Sequence, residues 1–206
     1  MARKASSGST SVGDKRLYTL QVFIISGPIT EEFAQENEVV ARTIKIRGDQ
    51  TLEDLHNAIF EALDREEEHM YEFQIGGKGP QDPRARCYVL PMALDSSDPA
   101  HRRGGDLTQM AVGSLGLEVD QAFGYWFDFG DDWLHQINVV AIDGEIPAGK
   151  YPKVTERIGV SPPQYADWDE EEEDDEDEED NEDEEDDDNE EDDENGEDNE
   201  NEEDEA

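Results

Sequence analysis

His56, His69 and His135, together with Asp128, Asp131 and Asp132, are the side chains best suited to chemistry. Histidine and carboxylate combined can hold a divalent metal, or act as acid and base. Their spacing points to one stretch, Tyr125-Trp126-Phe127-Asp128-Phe129-Gly130-Asp131-Asp132-Trp133-Leu134-His135. A site at its open end, beside Trp133, requires His56 from a helix start and His69 from a strand start to converge there. Each residue also has an ordinary structural role. Asp131 and Asp132 suit a tight turn, where aspartate bonds its own backbone. His56 lies beside Leu52, Leu55 and Phe60 and suits a packing histidine, and His69 opens a strand. No spacing matches a zinc pattern, and neither a metal nor another cofactor is expected.

The elements that must position these residues start with the hairpin. Phe123, Tyr125, Phe127 and Phe129 alternate at period two, and Trp133, His135, Ile137, Val139 and Ala141 do so after the turn. Such alternation marks half-buried strands, near the middle of a sheet. With a three-residue loop Phe129 faces Trp133 and Phe127 faces His135. With a two-residue loop Asp128 faces His135 as a ready histidine–carboxylate pair. A one-residue slip sends apolar side chains to the wrong face, which favours the first register and a half-buried His135 among aromatics.

Other motifs fall away. Gly76-Gly77-Lys78-Gly79 lacks the Lys-Ser/Thr ending and the following helix of a phosphate loop. Ser114, between Gly113 and Leu115, is not a nucleophile elbow, which needs glycines at both flanking alternate positions. Cys87, the single cysteine, stands near Arg84 and Arg86 but reads as a small residue at a strand start. It excludes an internal disulfide and points to a reducing compartment.

The chain has 206 residues and a formal net charge of −42. Of its 58 acidic residues, 32 lie from Asp167 onward, where there is no Lys or Arg. Three segments follow: a disordered leader (1–15), one globular domain (16–166) and a disordered polyacidic tail (167–206). The tail repels itself and has almost no apolar surface to offset the entropy of ordering. It is a solvating segment, or a polyanion that holds basic proteins. The body is acidic too, with basic clusters only at Arg84/Arg86 and Arg102/Arg103, so direct nucleic-acid binding is not expected. No apolar run approaches the roughly 18 residues of a spanning helix. The expectation is an intracellular, soluble, cytoplasmic protein without a signal peptide.

Leu17–Ile25 and Val39–Arg47 read as two strands of a wide hairpin, joined by a loop or a short helical turn. Thr51 caps a helix with Asp54 three residues on, an acidic variant of the capping box. Leu52, Leu55, Ile59, Phe60 and Leu63 give it one apolar face. Asp64-Arg65-Glu66-Glu67-Glu68 reads as a solvated connection, and His69–Ile75 as a third strand. Tyr88-Val89-Leu90 suits a short strand and Leu107–Leu117 a short helix. Tyr151–Val154 and Ser161–Tyr165 read as extended segments lying on the domain without joining its sheet.

Thr51-Leu52-Glu53-Asp54-Leu55-His56, His69-Met70-Tyr71-Glu72-Phe73 and the Tyr125–His135 hairpin occur in this order. Together they resemble the plasmid pRiA4b ORF-three-like domain, found in plasmid and mobile-element reading frames. The resemblance covers roughly residues 15–165, with the acidic tail outside it. Tyr151-Pro152-Lys153 and Ser161-Pro162-Pro163-Gln164-Tyr165 are similar to the family's C-terminal segment. Some members carry cysteines there. This chain has none, which removes a thiolate metal site. The resemblance implies an α+β fold and brings no catalytic residues. The expected architecture is a mixed, mostly antiparallel sheet packed on one main helix. The expected function is a non-enzymatic binding or accessory module, its partner meeting a groove between the helix start and the hairpin turn. The alternative is a metal-dependent hydrolase using the histidines and turn aspartates.

Overall fold

The computed structural model describes residues 15–94 and 104–165. The leader other than Lys15, the run His101-Arg102-Arg103 and the polyacidic tail lie outside the described residues. Two α-helices accompany an eight-stranded sheet. In chain order the elements are β1 (Leu17–Ser26), α1 (Glu31–Glu36), β2 (Ala41–Arg47), α2 (Leu52–Ala62), β3 (Tyr71–Ile75), β4 (Arg86–Val89), β5 (Gly105–Asp106), β6 (Ala122–Phe127), β7 (Trp133–Asp143) and β8 (Lys153–Ile158). The sheet order is β5-β4-β3-β6-β7-β1-β2-β8. Every pairing is antiparallel except the short β4–β5 contact. The fold is α+β, and the β6–β7 hairpin occupies the middle of the sheet.

α2 begins as its sequence dictates. The Thr51 hydroxyl accepts from the Asp54 N–H at 3.1 Å, and the Asp54 carboxylate accepts from the Thr51 N–H at 2.8 Å. Two of the backbone donors that a helix start leaves unpaired are thereby satisfied. Leu52, Leu55, His56, Ile59 and Ala62 face the sheet and are buried. They join one core with Tyr18, Leu20 and Val22 of β1, Ile44 and Ile46 of β2, Phe73 of β3, Phe123, Tyr125 and Phe127 of β6, and Trp133, Ile137 and Val139 of β7.

Two expectations are corrected. Lys153–Ile158 does join the sheet, as β8 on the outer edge of β2, while Ser161–Tyr165 stays off it as expected. An uncovered edge would leave a row of backbone donors and acceptors unpaired, and β8 takes them up. Leu107–Leu117 is not a helix: only Val112–Ser114 makes a single 3-10 turn. Its backbone bonds go instead to the approach to α2, with Val112 N–H donating to Gln50 and Gly113 N–H to Gly48, both at 2.9 Å. Gly116, at φ +73°, turns the chain away immediately afterwards.

Candidate functional site

The hairpin turn is longer than either sequence register allowed. Phe127 pairs with Trp133 and Tyr125 with His135, so residues 128–132 form a five-residue loop. Asp128 and Asp132 sit in the left-handed region at φ 54° and 53°. The Asp128 carboxylate accepts from the N–H of Gly130 at 3.1 Å and of Asp131 at 3.4 Å, and its carbonyl accepts from Asp132 N–H at 2.8 Å. The aspartate that organises the turn is therefore Asp128. The pairing moves by two residues from the favoured register, so each side chain keeps its face while Phe129 leaves the strand for the surface, where its ring meets Trp126 at 4.4 Å.

The end of α2 and the residues just after it also reach this turn. Phe60 contacts Phe127 edge-on at 5.9 Å, and the Arg65 guanidinium lies 3.6 Å from the Trp133 ring. The start of α2 is held elsewhere, with Leu52 N–H donating to Met110. From the first half of α2 it is His56 that meets the hairpin strand, at Tyr125 and Phe127.

Each of the three described histidines is engaged separately. His56 is buried and stacked on Tyr71, ring centroids 3.5 Å apart. Its Nε2 meets the Glu68 carboxylate at 3.1 Å and its Nδ1 meets the Tyr125 hydroxyl at 2.8 Å. Since a carboxylate only accepts, Nε2 carries the proton and Nδ1 accepts from the tyrosine. Burial lowers its pKa, with Glu68 acting in the opposite direction. His69, at the surface, points Nε2 at the Tyr165 hydroxyl (2.8 Å) and the Asp128 carboxylate (3.4 Å).

His135 is fully buried, not half-buried, because Tyr125 and its neighbours enclose it. Its Nδ1 donates to the Tyr125 carbonyl at 3.3 Å, which leaves Nε2 as a bare acceptor with no described partner. Burial first, and the Arg65 charge second, hold its pKa down at about 3. Tyr125 and Phe127 stand between the three histidines, and among the described residues no three His, Cys, Asp or Glu side chains are grouped to hold a metal. Of the sequence-named residues, Trp133 and Asp128 are buried, while Asp131 and Asp132 remain accessible on the turn.

Residues that sequence reasoning missed complete the site. The segment 161–165 lies over Arg65 and Trp133. Pro162 and Pro163 carbonyls accept from Arg65 Nη1 at 3.4 and 3.5 Å, and the Gln164 carbonyl accepts from the Trp133 indole at 3.1 Å. The Gln164 side chain is buried against the backbone of Glu66 and Glu67. Upstream, Ser161 bridges Asp64 and the Arg42 guanidinium, both at 2.7 Å. The signal for Arg65 was its isolation: one arginine beside three consecutive glutamates, directly after the apolar face of α2.

The family model for plasmid pRiA4b ORF-3-like proteins matches residues 29–192 of this chain. The chain belongs to that family. The match starts later than the resemblance suggested and runs on into the acidic segment. No curated protein matches the chain. Among solved structures, this family member is similar to MM3350, a protein of unknown function from Methanosarcina mazei Go1, at 20% identity and a TM-score of 0.54, covering 73% of each chain. That likeness concerns the fold alone. Among the described residues of this pRiA4b ORF-3-like protein, no helix is long and apolar enough to cross a membrane.

Proposed function

We propose that this chain is a non-enzymatic binding or accessory module whose partner is a basic protein. The observation that carries this reading is the separate engagement of the histidines. His56 is committed to Tyr125 and Glu68, His69 to Tyr165 and Asp128, and His135 is enclosed in aromatic packing. A metal-dependent hydrolase needs ligands that converge on an open position. The accessible groups at the hairpin turn are instead Phe129, Tyr165, Asp131 and Asp132, aromatic rings in an acidic setting. Such a surface complements a basic partner, and the polyacidic segment that follows adds the same sign of charge. The fit is to a partner presenting Lys and Arg around an apolar contact.

Two measurements test the reading on the full chain. Metal analysis after a high-salt chelator wash should find no stoichiometric transition metal. One equivalent that is lost in His135→Ala would overturn the module. Binding to a panel of small basic proteins should weaken as salt is raised and weaken further in Phe129→Ser. Binding that ignores Phe129→Ser removes the turn from the interface.

A further inference from the structure

Among the described residues, three buried arginine and histidine nitrogens stand without partners, and they belong to Arg65 and His135. The arginines of this fold show what is missing. Arg42, also buried, spends Nε on the Ala62 carbonyl at 2.8 Å, Nη1 on the Ala41 and Ile158 carbonyls at 2.8 Å, and Nη2 on Ser161. Arg47 turns Nε and Nη2 together onto the two oxygens of Asp49. Arg65 has Nη1 against the Pro162 and Pro163 carbonyls, and neither Nε nor Nη2 has an acceptor among the described residues.

Nε and Nη2 are the two nitrogens whose N–H bonds leave the guanidinium side by side. That fork matches the two oxygens of a carboxylate or phosphate, as Arg47 demonstrates on Asp49. Burial of a charge without an acceptor is costly, and stacking on Trp133 compensates only the face of the group, not its edge. Burial brings the Arg65 pKa down to about 10, so the group stays charged at neutral pH. His135 lies two residues beyond Trp133 on the same face of β7, with the lone pair of Nε2 unmatched. An Arg fork needs acceptors and that lone pair needs a donor.

We infer that Arg65 is the anchor of a small-oxyanion site roofed by residues 161–165, the ligand lying on the Nε–Nη2 fork with Trp133 and His135 as walls. The ligand class is a small carboxylate or phosphate-type anion, and one carrying an O–H also suits the His135 acceptor. Entry requires the roof to lift. At its centre it is held by the Gln164 side chain on Glu66 and Glu67 and the Gln164 carbonyl on the Trp133 indole, with Ser161 and Tyr165 fastening its two ends. This site is separate from the exposed turn surface and stands or falls without it.

The test is titration of the full chain with acetate and with inorganic phosphate at constant ionic strength. The Arg65 Nε–H resonance and calorimetry are the two readouts. Saturable binding that shifts this resonance is expected, with Gln164→Ala speeding uptake. Arg65→Lys keeps the charge and loses the fork, and should weaken binding roughly tenfold or more, the loss of one charge-assisted hydrogen bond. Should that variant fail to fold, the wild-type resonance still decides. No saturable shift with either anion in the wild type and in Gln164→Ala overturns the site. So does a crystal structure that places only ordered water on the fork after soaking in both anions.

Discussion

The side-chain amide of Gln164 and the backbone of Glu67 exchange two hydrogen bonds: Glu67 N–H donates to Oε1 at 3.0 Å, and Nε2 donates to the Glu67 carbonyl at 2.9 Å. This is the pairing of two strand residues made by one side chain, and Glu66 N–H adds a third bond at 2.8 Å. It fastens 161–165 to the loop after α2, over Arg65 and Trp133.

Gln164→Ala should therefore destabilise the fold by about 2 kcal/mol, from three bonds of roughly 0.5–1.5 kcal/mol net each, less what water recovers. Gln164→Glu keeps Oε1 as an acceptor and turns the Nε2 donor into a second acceptor facing the Glu67 carbonyl, so it should cost at least as much. Urea denaturation followed by tryptophan fluorescence reads both. Equal stability of Gln164→Ala and wild type would show that the segment is not fastened by this residue.

Stability should fall as pH drops below neutral. The folded state holds His135 at about pH 3, against an ordinary value of 6.5, and burial lowers His56 as well. Below pH 6.5 the unfolded chain takes up a proton at each histidine that the folded chain refuses. The contribution is thus complete above 6.5 and is lost as pH falls toward the folded values, at up to about 1.4 kcal/mol per unit for each group. His135→Phe keeps an aromatic ring among aromatics. Its unfolding free energy should decline less steeply than wild type between pH 7 and 5, with the remaining slope due to His56. Parallel slopes for the two proteins would mean that His135 is protonated in the fold.

The turn is set by Asp128, whose φ of 54° and two accepted backbone bonds both favour a short polar side chain. Asp128→Asn retains the acceptor and tolerates the left-handed conformation, so it should cost less than about 1 kcal/mol. Asp128→Ala loses both features and should cost about 1–3 kcal/mol by exposing strain and leaving the turn N–H groups unpaired. Chemical denaturation of the pair checks this order. Equal costs for the two variants would point to the carboxylate charge beside His69, which both remove, as the dominant effect.

Local signals were the legible ones. Thr51 and Asp54 announce the start of α2, and period-two alternation gives the faces of β6 and β7 correctly even though the register is two residues away. Parity survives such a shift because the side-chain period is two. The turn length was not legible, since Phe129 continues the alternation in sequence while Asp128 breaks the strand in space. β8 was hidden because this exposed edge strand is mostly polar, and its burial pattern shows no alternation. Arg65 was hidden for the opposite reason. A residue in a charged run looks solvated, and its burial depends on Trp133 and on segment 161–165, both remote in sequence. The grouping of His56 with Tyr125 and the separation of His135 likewise follow from how α2 packs against the hairpin, a choice that no single stretch encodes.

Tyr125 and His56 form a buried pair whose energy can be isolated. The hydroxyl of Tyr125 supplies the Nδ1 acceptor of His56, and both groups are enclosed. Tyr125→Phe keeps the ring contacts with Phe73 and His135 and removes one donor, leaving Nδ1 desolvated and unpaired. That should cost about 1–3 kcal/mol. His56→Phe removes the other partner and strands the hydroxyl in the same way. The double variant has no unpaired group at this position, so it should be less destabilised than the two single costs added together, by about 1 kcal/mol or more. Strict additivity in the double-mutant cycle would mean that water, rather than His56, satisfies the Tyr125 hydroxyl. The position would then be open to solvent, and the separation of the histidines by dry aromatic packing would have to be abandoned.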